Sequence, residues 1–317
     1  MKLLALLTAA LLATAVQAQD YPSKSIRFIV PFPPGGSSDL IARIIAPRMG
    51  ERMGQPVLVE NRPGAGGMIG VDMVAKAPPD GYTIGLAAAG ALSSNISLYP
   101  SMPFHPEKDL APISMLAIIP FFLVAHPSQP ASLKLLIEAA KAKPGGLSIG
   151  YGGNGSTMHL AGELFNMMAG VKLQPVPYKG SGPVSTDVLG GQVPLGVVDV
   201  PSAIAHVRAG KMRALAVTSK RRIAAAPEVP TFEEAGVPGY EAIGWFGAVA
   251  PAGTPAAIIQ RLNAEMAAAL AVPEIRERAL AAGAEPFTNT PQEFAAIIRE
   301  ETRKWAEVIR TAGIKLQ

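Results

Sequence analysis

Ten short apolar segments, separated by polar turns and for the most part by amphipathic stretches, constrain this chain more than any other feature. They fall at residues 26–30, 57–60, 83–87, 113–119, 122–125, 148–151, 173–177, 195–198, 214–218 and 246–250. Strands alternating with helical stretches specify an α/β architecture on parallel sheet. The last third changes character, since 255–271 and 291–312 read as two long, alanine-rich, charged helices, the second carrying Trp305. A chain of 317 residues, 49% of them hydrophobic, has material for one large or two medium domains. The β-rich stretch 113–125 is broken by Pro120, and a new helix and a fresh set of strands begin at Ser132. Residues 240–250 then return. Two extended connections between two Rossmann-like halves describe a hinged protein with its ligand in the cleft between lobes. The expected division is lobe 1 from residues 19–119 and 245–317, and lobe 2 from 120–244.

The N-terminus carries one charge, Lys2, then an apolar run over 3–12 and the small-residue pattern Val16-Gln17-Ala18. These features predict a secretory signal peptide over residues 1–18 and a mature chain beginning near Gln19. The run is shorter than the roughly 20 residues a membrane span needs. With no cysteine in the chain, neither a disulfide framework nor a lipid-modified cysteine is available. The expectation is a soluble periplasmic protein stabilised by its core. The net charge of +4 is spread thinly, with Lys220-Arg221-Arg222 the only compact basic run, and aromatic residues make up 6%. That pattern excludes a nucleic-acid interface and leaves a mild positive field suited to anions.

The loops that follow the strands carry the chemistry. Val30-Pro31-Phe32-Pro33-Pro34-Gly35-Gly36-Ser37-Ser38-Asp39 joins the first strand to a helix whose apolar face is Leu40, Ile41, Ile44 and Ile45. A diglycine turn leaves its amides bare, and a helix N-terminus favours negative charge, so the segment reads either as an anion cradle or as a tight connection that binds nothing. Ser37, Ser38 and Asp39 offer N-cap chemistry. For Asp39 capping is the favoured role, because its charge would repel a carboxylate placed against it. Four further loops are of the same kind: 61–67, containing Gly66; 88–95, containing Gly90 and Ser94; 152–159, containing Asn154, Ser156, Thr157 and His159; and 178–183, containing Lys179 and Gly180. At the carboxyl edge of an open sheet such loops gather and face a ligand.

Competing chemistries are weakly supported. Residues 150–155 match G-x-G-x-x-G after a strand, but the next strand has no acidic residue at its tip to hold a ribose. Ser156, His159 and Asp199 invite a hydrolase reading, yet the sequence around Ser156 is not G-x-S-x-G and no oxyanion partner is identifiable. Ser156 and Thr157 read instead as N-cap residues whose hydroxyls also reach a ligand. Asp199 is either the N-cap of a helix at 201–209 or a polar ligand contact. No His or carboxylate cluster has metal-ligand spacing.

With these loops in view the chain resembles the Bug family, the periplasmic substrate-binding proteins of tripartite tricarboxylate transporters. The resemblance spans essentially the whole mature chain. It rests on Tyr21-Pro22, the 30–39 segment above, Val59-Glu60-Asn61-Arg62-Pro63-Gly64-Ala65-Gly66-Gly67, Pro79-Asp80-Gly81-Tyr82-Thr83, Val176-Pro177-Tyr178-Lys179-Gly180, 210–218 and 245–255. It implies a type II periplasmic-binding-protein fold that closes on a small organic mono- or dicarboxylate, held by backbone amides, hydroxyls and bridging waters. It implies delivery to the transporter's membrane subunits by a monomer without catalysis, metal or cofactor; the alternative is a sensor input built on the same module. Closure is expected to bring Gly35, Gly36 and Ser38 toward Ser156, Thr157 and Lys179. The ligand-facing set that follows is Pro34, Gly35, Gly36, Ser38, Asp39, Gly66, Gly90, Ser94, Asn154, Ser156, Thr157, His159, Lys179, Gly180, Asp199 and Phe246. The 88–95 loop is mostly alanine and glycine where relatives often carry threonine or histidine, which suggests a ligand with an apolar body or greater bulk.

Overall fold

The computed structural model of the chain describes residues 21–281, 283–312 and 314. The signal-peptide expectation lies outside them. In chain order the elements are β1 (Ile26–Val30), α1 (Ser37–Met53), β2 (Val57–Asn61), α2 (Met68–Ala75), β3 (Thr83–Ala88), β4 (Leu110–Ile119), β5 (Phe121–Ala125) and α3 (Leu133–Ala142). There follow β6 (Ser148–Tyr151), α4 (Thr157–Ala169), β7 (Gln174–Pro177), α5 (Ser181–Leu189), β8 (Leu195–Asp199), α6 (Val200–Arg208) and β9 (Arg213–Val217). β10 (Gly244–Pro251), α7 (Ala256–Leu270), α8 (Pro273–Ala281), the short β11 (Glu285–Pro286) and α9 (Pro291–Ala312) complete the chain.

The strands form two sheets, ordered β11-β4-β10-β3-β1-β2 and β7-β6-β8-β5-β9. Each sheet, with its covering helices, makes one lobe. The purely parallel sheet expected from the alternation is not what forms. β5 runs antiparallel to both β8 and β9, and β10 runs antiparallel to both β3 and β4. The reason is where the chain crosses. β4 ends at Ile119, and after Pro120 the chain starts β5 with Phe121 paired to Asp199, at the carboxyl end of β8. On return, Gly244 pairs with Ile119 and Phe246 with Ala88, at the carboxyl ends of β4 and β3. A strand entering a parallel sheet from its carboxyl edge has to run the other way. Both crossings therefore lie on the edge where the loops gather.

Local chemistry explains the helices that place those loops. α1 buries Ile41, Ile44, Ile45, Met49 and Met53, at helical spacing, and stops at Gly54 with φ 71°. α4 is capped by Ser156 and ends at Gly170 with φ 62°, a left-handed conformation that glycine adopts without a Cβ penalty. α9 buries Phe294, Ile298, Trp305 and Ile309, and the last two pack with Leu98 and with Leu160 of α4. Lys220 and Arg222, from the basic run, pair with Glu241 and Glu234 at 3.0 and 2.8 Å on the surface. Among the described residues no helix is long and apolar enough to cross a membrane.

Candidate functional site

The two lobes meet along their carboxyl edges, and the seam is built from glycine. A Cβ placed on Gly66 would sit 2.5 Å from the Asn154 carbonyl oxygen, and one on Gly90 would sit 2.5 Å from that of Gly155. Gly180, φ 140°, approaches Pro33 closely enough that a Cβ would lie 3.1 Å from the proline ring. Tyr99 donates its phenol proton to the Asn154 carbonyl across the seam at 2.9 Å. Side chains larger than hydrogen at these glycines would hold the edges apart.

Within this seam lies a cavity of about 200 Å³, lined by Phe32, Gly66, Tyr99, Asn154, Tyr178 and Lys179 among others. Beside it is a small void of about 20 Å³ that shares Phe32 and is also lined by Gly36, Ser38, Gly180, Asp199 and Phe246. Phe32 and Phe246 meet at a tilt with centroids 6.5 Å apart. Lys179 stands exposed at the rim.

Eight of the expected ligand-facing residues thus line the two voids: Gly66, Asn154 and Lys179 the first, and Gly36, Ser38, Gly180, Asp199 and Phe246 the second. Pro34 and Gly35 are exposed, and Gly35 and Asp39 line a separate open groove between α1 and α6. Gly90, Ser94, Ser156, Thr157 and His159 are buried along the seam and line neither void. The expected pairing of the diglycine turn with Ser156 and Thr157 is also replaced. Gly36 and Ser37 face Asp199, while the 152–156 loop faces Gly66 and Gly90.

The capping expected of Ser37, Ser38 and Asp39 is corrected as well. The N-cap of α1 is Gly36, in extended backbone at φ −91° and ψ 177°, with no side-chain cap. Asp39 accepts hydrogen bonds from Arg43 at 2.8 Å, Asn61 at 2.9 Å and the Gly35 amide at 3.2 Å. Burial works against its charge, but these donors outweigh it and hold the carboxyl below its ordinary range. Asp39 therefore ties the diglycine turn to the end of β2. Asp199 is the N-cap of α6, accepting from the Ser202 amide. Its other oxygen accepts from the Ser37 amide at 2.8 Å and the Ser37 hydroxyl at 2.6 Å.

Ser156 and His159 are not a nucleophile and its base. Ser156 Oγ accepts from the His159 amide at 3.2 Å, and His159 Nδ1 accepts from the Gly155 amide at 3.3 Å. The imidazole stacks on Tyr151 at 4.5 Å, and Tyr151 in turn donates to Asn154 Oδ1 at 2.8 Å. Burial lowers its pKa to about 4, so it is neutral at pH 7. A group held neutral in this way contributes stability that is complete above its ordinary value of 6.5 and is lost as pH falls toward about 4. The loss amounts to about 3 kcal/mol. Glu163, 3.9 Å from Nε2 and pushed up by burial, acts in the opposite sense. His159→Gln is expected to flatten the acid limb of stability between pH 6.5 and 4, read by denaturant unfolding; an unchanged limb would place the titrating group elsewhere.

Sequence reasoning missed Asn95 and Tyr99. Asn95 is fully buried, and its Oδ1 and Nδ2, like the Ser94 hydroxyl, have no hydrogen-bond partner. Asn95 abuts Gly155. The available signal was the one-turn helix Asn95–Leu98, which follows the β3 loop and sets Asn95 and Tyr99 one turn apart. Among the described residues no group of three or more His, Cys, Asp or Glu is arranged to hold a metal.

Residues 41–314 match the family described as "Tripartite tricarboxylate transporter family receptor". The chain belongs to this family. The Bug protein BugT of Bordetella pertussis is 42% identical over 308 residues, covering 96% of this chain and 94% of its own. A solved R. palustris structure, Rpa4515 with adipate, superposes with a TM-score of 0.90 at 38% identity, covering 93% of this chain and 99% of that one. MatC from Rhodopseudomonas palustris with bound malate gives 0.86 at 32% identity, covering 91% and 100%. As a Bug-family chain it has the two-lobed fold of periplasmic binding proteins, with the carboxyl-edge seam as its cleft.

Proposed function

We propose that this protein captures a small organic carboxylate in the periplasm and hands it to the membrane subunits of a tripartite tricarboxylate-type transporter. Among the described residues, the lobes in this reading are drawn from 19–119 with 245–317, and from 120–244. One observation carries the reading: a cavity of about 200 Å³ lined by glycine-rich loops from both sheets. That volume is many times what one water needs and suits a short-chain acid. Glycine-rich backbone suits a carboxylate, and Lys179 at the rim supplies a positive charge. Relatives that carry adipate and malate support the ligand class. In this reading the protein is a monomer that binds without turnover, and a Ser156–His159 dyad is disfavoured because His159 Nδ1 already accepts from the Gly155 amide.

A thermal-shift screen against aliphatic and aromatic mono- and dicarboxylates tests this. Ligand at about 100 times its Kd stabilises the folded state by about 2.7 kcal/mol, which moves Tm by several degrees at this chain length. Shifts from sugars or cationic amines alone would overturn the ligand class, and turnover of a carboxylate ester would overturn the binding-only view.

A further inference from the structure

We propose that Asp199 is an interlobe latch, a positioning residue that closes the cleft without touching the ligand. The start of α1 is the feature that first suggested an anion cradle, and its Ser37 amide already holds an anion: the carboxylate of Asp199, which lies 162 residues away in sequence and on the other sheet. Oδ2 accepts from the Ser37 amide at 2.8 Å and the Ser37 hydroxyl at 2.6 Å. Oδ1 accepts from the Ser202 hydroxyl at 2.5 Å and the Ser202 amide at 3.4 Å. One carboxylate therefore joins the N-termini of α1 and α6, each of which favours negative charge. Its own amide is anchored to Ser181 Oγ at 3.1 Å. Asp199 is 4% exposed, and both oxygens are occupied by protein donors, so no ligand group need reach it. Gly36 is part of the device, since a Cβ there would lie 3.2 Å from Oδ2. Hydrogen bonds to a charged group exceed neutral ones in strength. When the lobes separate, the Ser37 half is lost and the Ser202 half is kept. The latch thus biases the ligand-free chain toward closure, and binding adds to a state already populated.

The chain has no cysteine, so a pair introduced at exposed Leu58 and Leu135 reports the distance between lobes when spin-labelled. Ligand-free protein of otherwise unchanged sequence is expected to show a short-distance population. Asp199→Asn is expected to reduce it roughly tenfold, Ser37→Ala to reduce it less, and the double variant to go no further than Asp199→Asn alone. Ser202→Ala, which spares the contact across the cleft, is expected to lower Tm and leave the distances unchanged. A ligand-free protein that is wholly open, or a Ser202→Ala shift as large as that of Ser37→Ala, would overturn the latch. Ser37→Ala keeps the test decisive even where Asp199→Asn fails to fold.

Discussion

Replacing Gly90 with valine is expected to leave the protein folded and to weaken carboxylate binding by roughly 10- to 100-fold. Gly90 opens a wide π-type turn, Gly90–Ser94, at the end of β3. The nearest atoms that a Cβ there would meet, apart from chain neighbours and its own helical turn, are the Gly155 carbonyl at 2.5 Å and Ser156 Cα at 3.4 Å. Both belong to the opposite edge of the cleft. The open form can relieve the clash by leaving the lobes apart, whereas the closed form has to displace backbone, which costs about 1–3 kcal/mol or more. Because the penalty falls on one of two states, it is subtracted from binding and not from folding. The check is a titration with the carboxylate that gives the largest thermal shift, beside a melting curve of the ligand-free variant. Unchanged affinity would mean that the ligand-bound seam does not close at Gly90; a large fall in the ligand-free Tm would mean that Gly90 serves the fold of its own lobe.

The largest effect on stability is expected at Tyr240. Its ring stacks on Phe232 with centroids 3.9 Å apart, Phe232 meets Phe165 edge-on at 5.4 Å, and all three are buried. The phenol donates to the Ala161 carbonyl of α4 at 2.8 Å. Tyr240 thereby fastens the approach to the returning strand β10 onto the helix whose N-terminus lies at the cleft. Tyr240→Ala removes this contact and leaves a cavity, a change expected to cost about 3–5 kcal/mol and to lower Tm by roughly 10 °C. Tyr240→Phe keeps the ring and loses one hydrogen bond, about 1 kcal/mol. Comparing the two by calorimetry separates packing from the polar contact. Equal losses would make the hydrogen bond the dominant element; losses under about 1 kcal/mol in both would mean the stack contributes little.

Much of the fold was legible because its signals are local. Each four- to eight-residue apolar run between turn residues became a strand, and of Leu40, Ile41, Ile44 and Ile45, which marked the apolar face of α1 before any contact was known, the three isoleucines are buried. The loops were legible for the same reason, as glycine clusters placed after strands. Strand direction was not. Nothing within Phe121–Ala125 or Gly244–Pro251 tells that these strands run against their neighbours, because direction follows from the edge at which the chain re-enters each sheet. Helix capping failed by a short step at α1, where three polar residues, Ser37 to Asp39, pointed to a side-chain cap and the backbone of Gly36 took the position.

The ligand-facing set divides along the same line. Gly66, Asn154 and Lys179 could be chosen from loop chemistry alone and do line the cavity. Asn95 looked like an ordinary loop polar group until its burial without a partner set it apart. Asp199 was read as either a helix cap or a ligand contact; it caps α6, and its second partner, Ser37, was invisible. What the sequence determined by itself is the family, the α/β class and the glycine-rich loops, since each is written in contiguous residues. What only the tertiary structure decided is which loops touch, that the Ser37 amide of α1 holds the protein's own carboxylate, and that His159 is buried neutral. Those outcomes depend on groups far apart in sequence meeting when two edges close, as Ser37 and Asp199 do across 162 residues, and on the burial that follows.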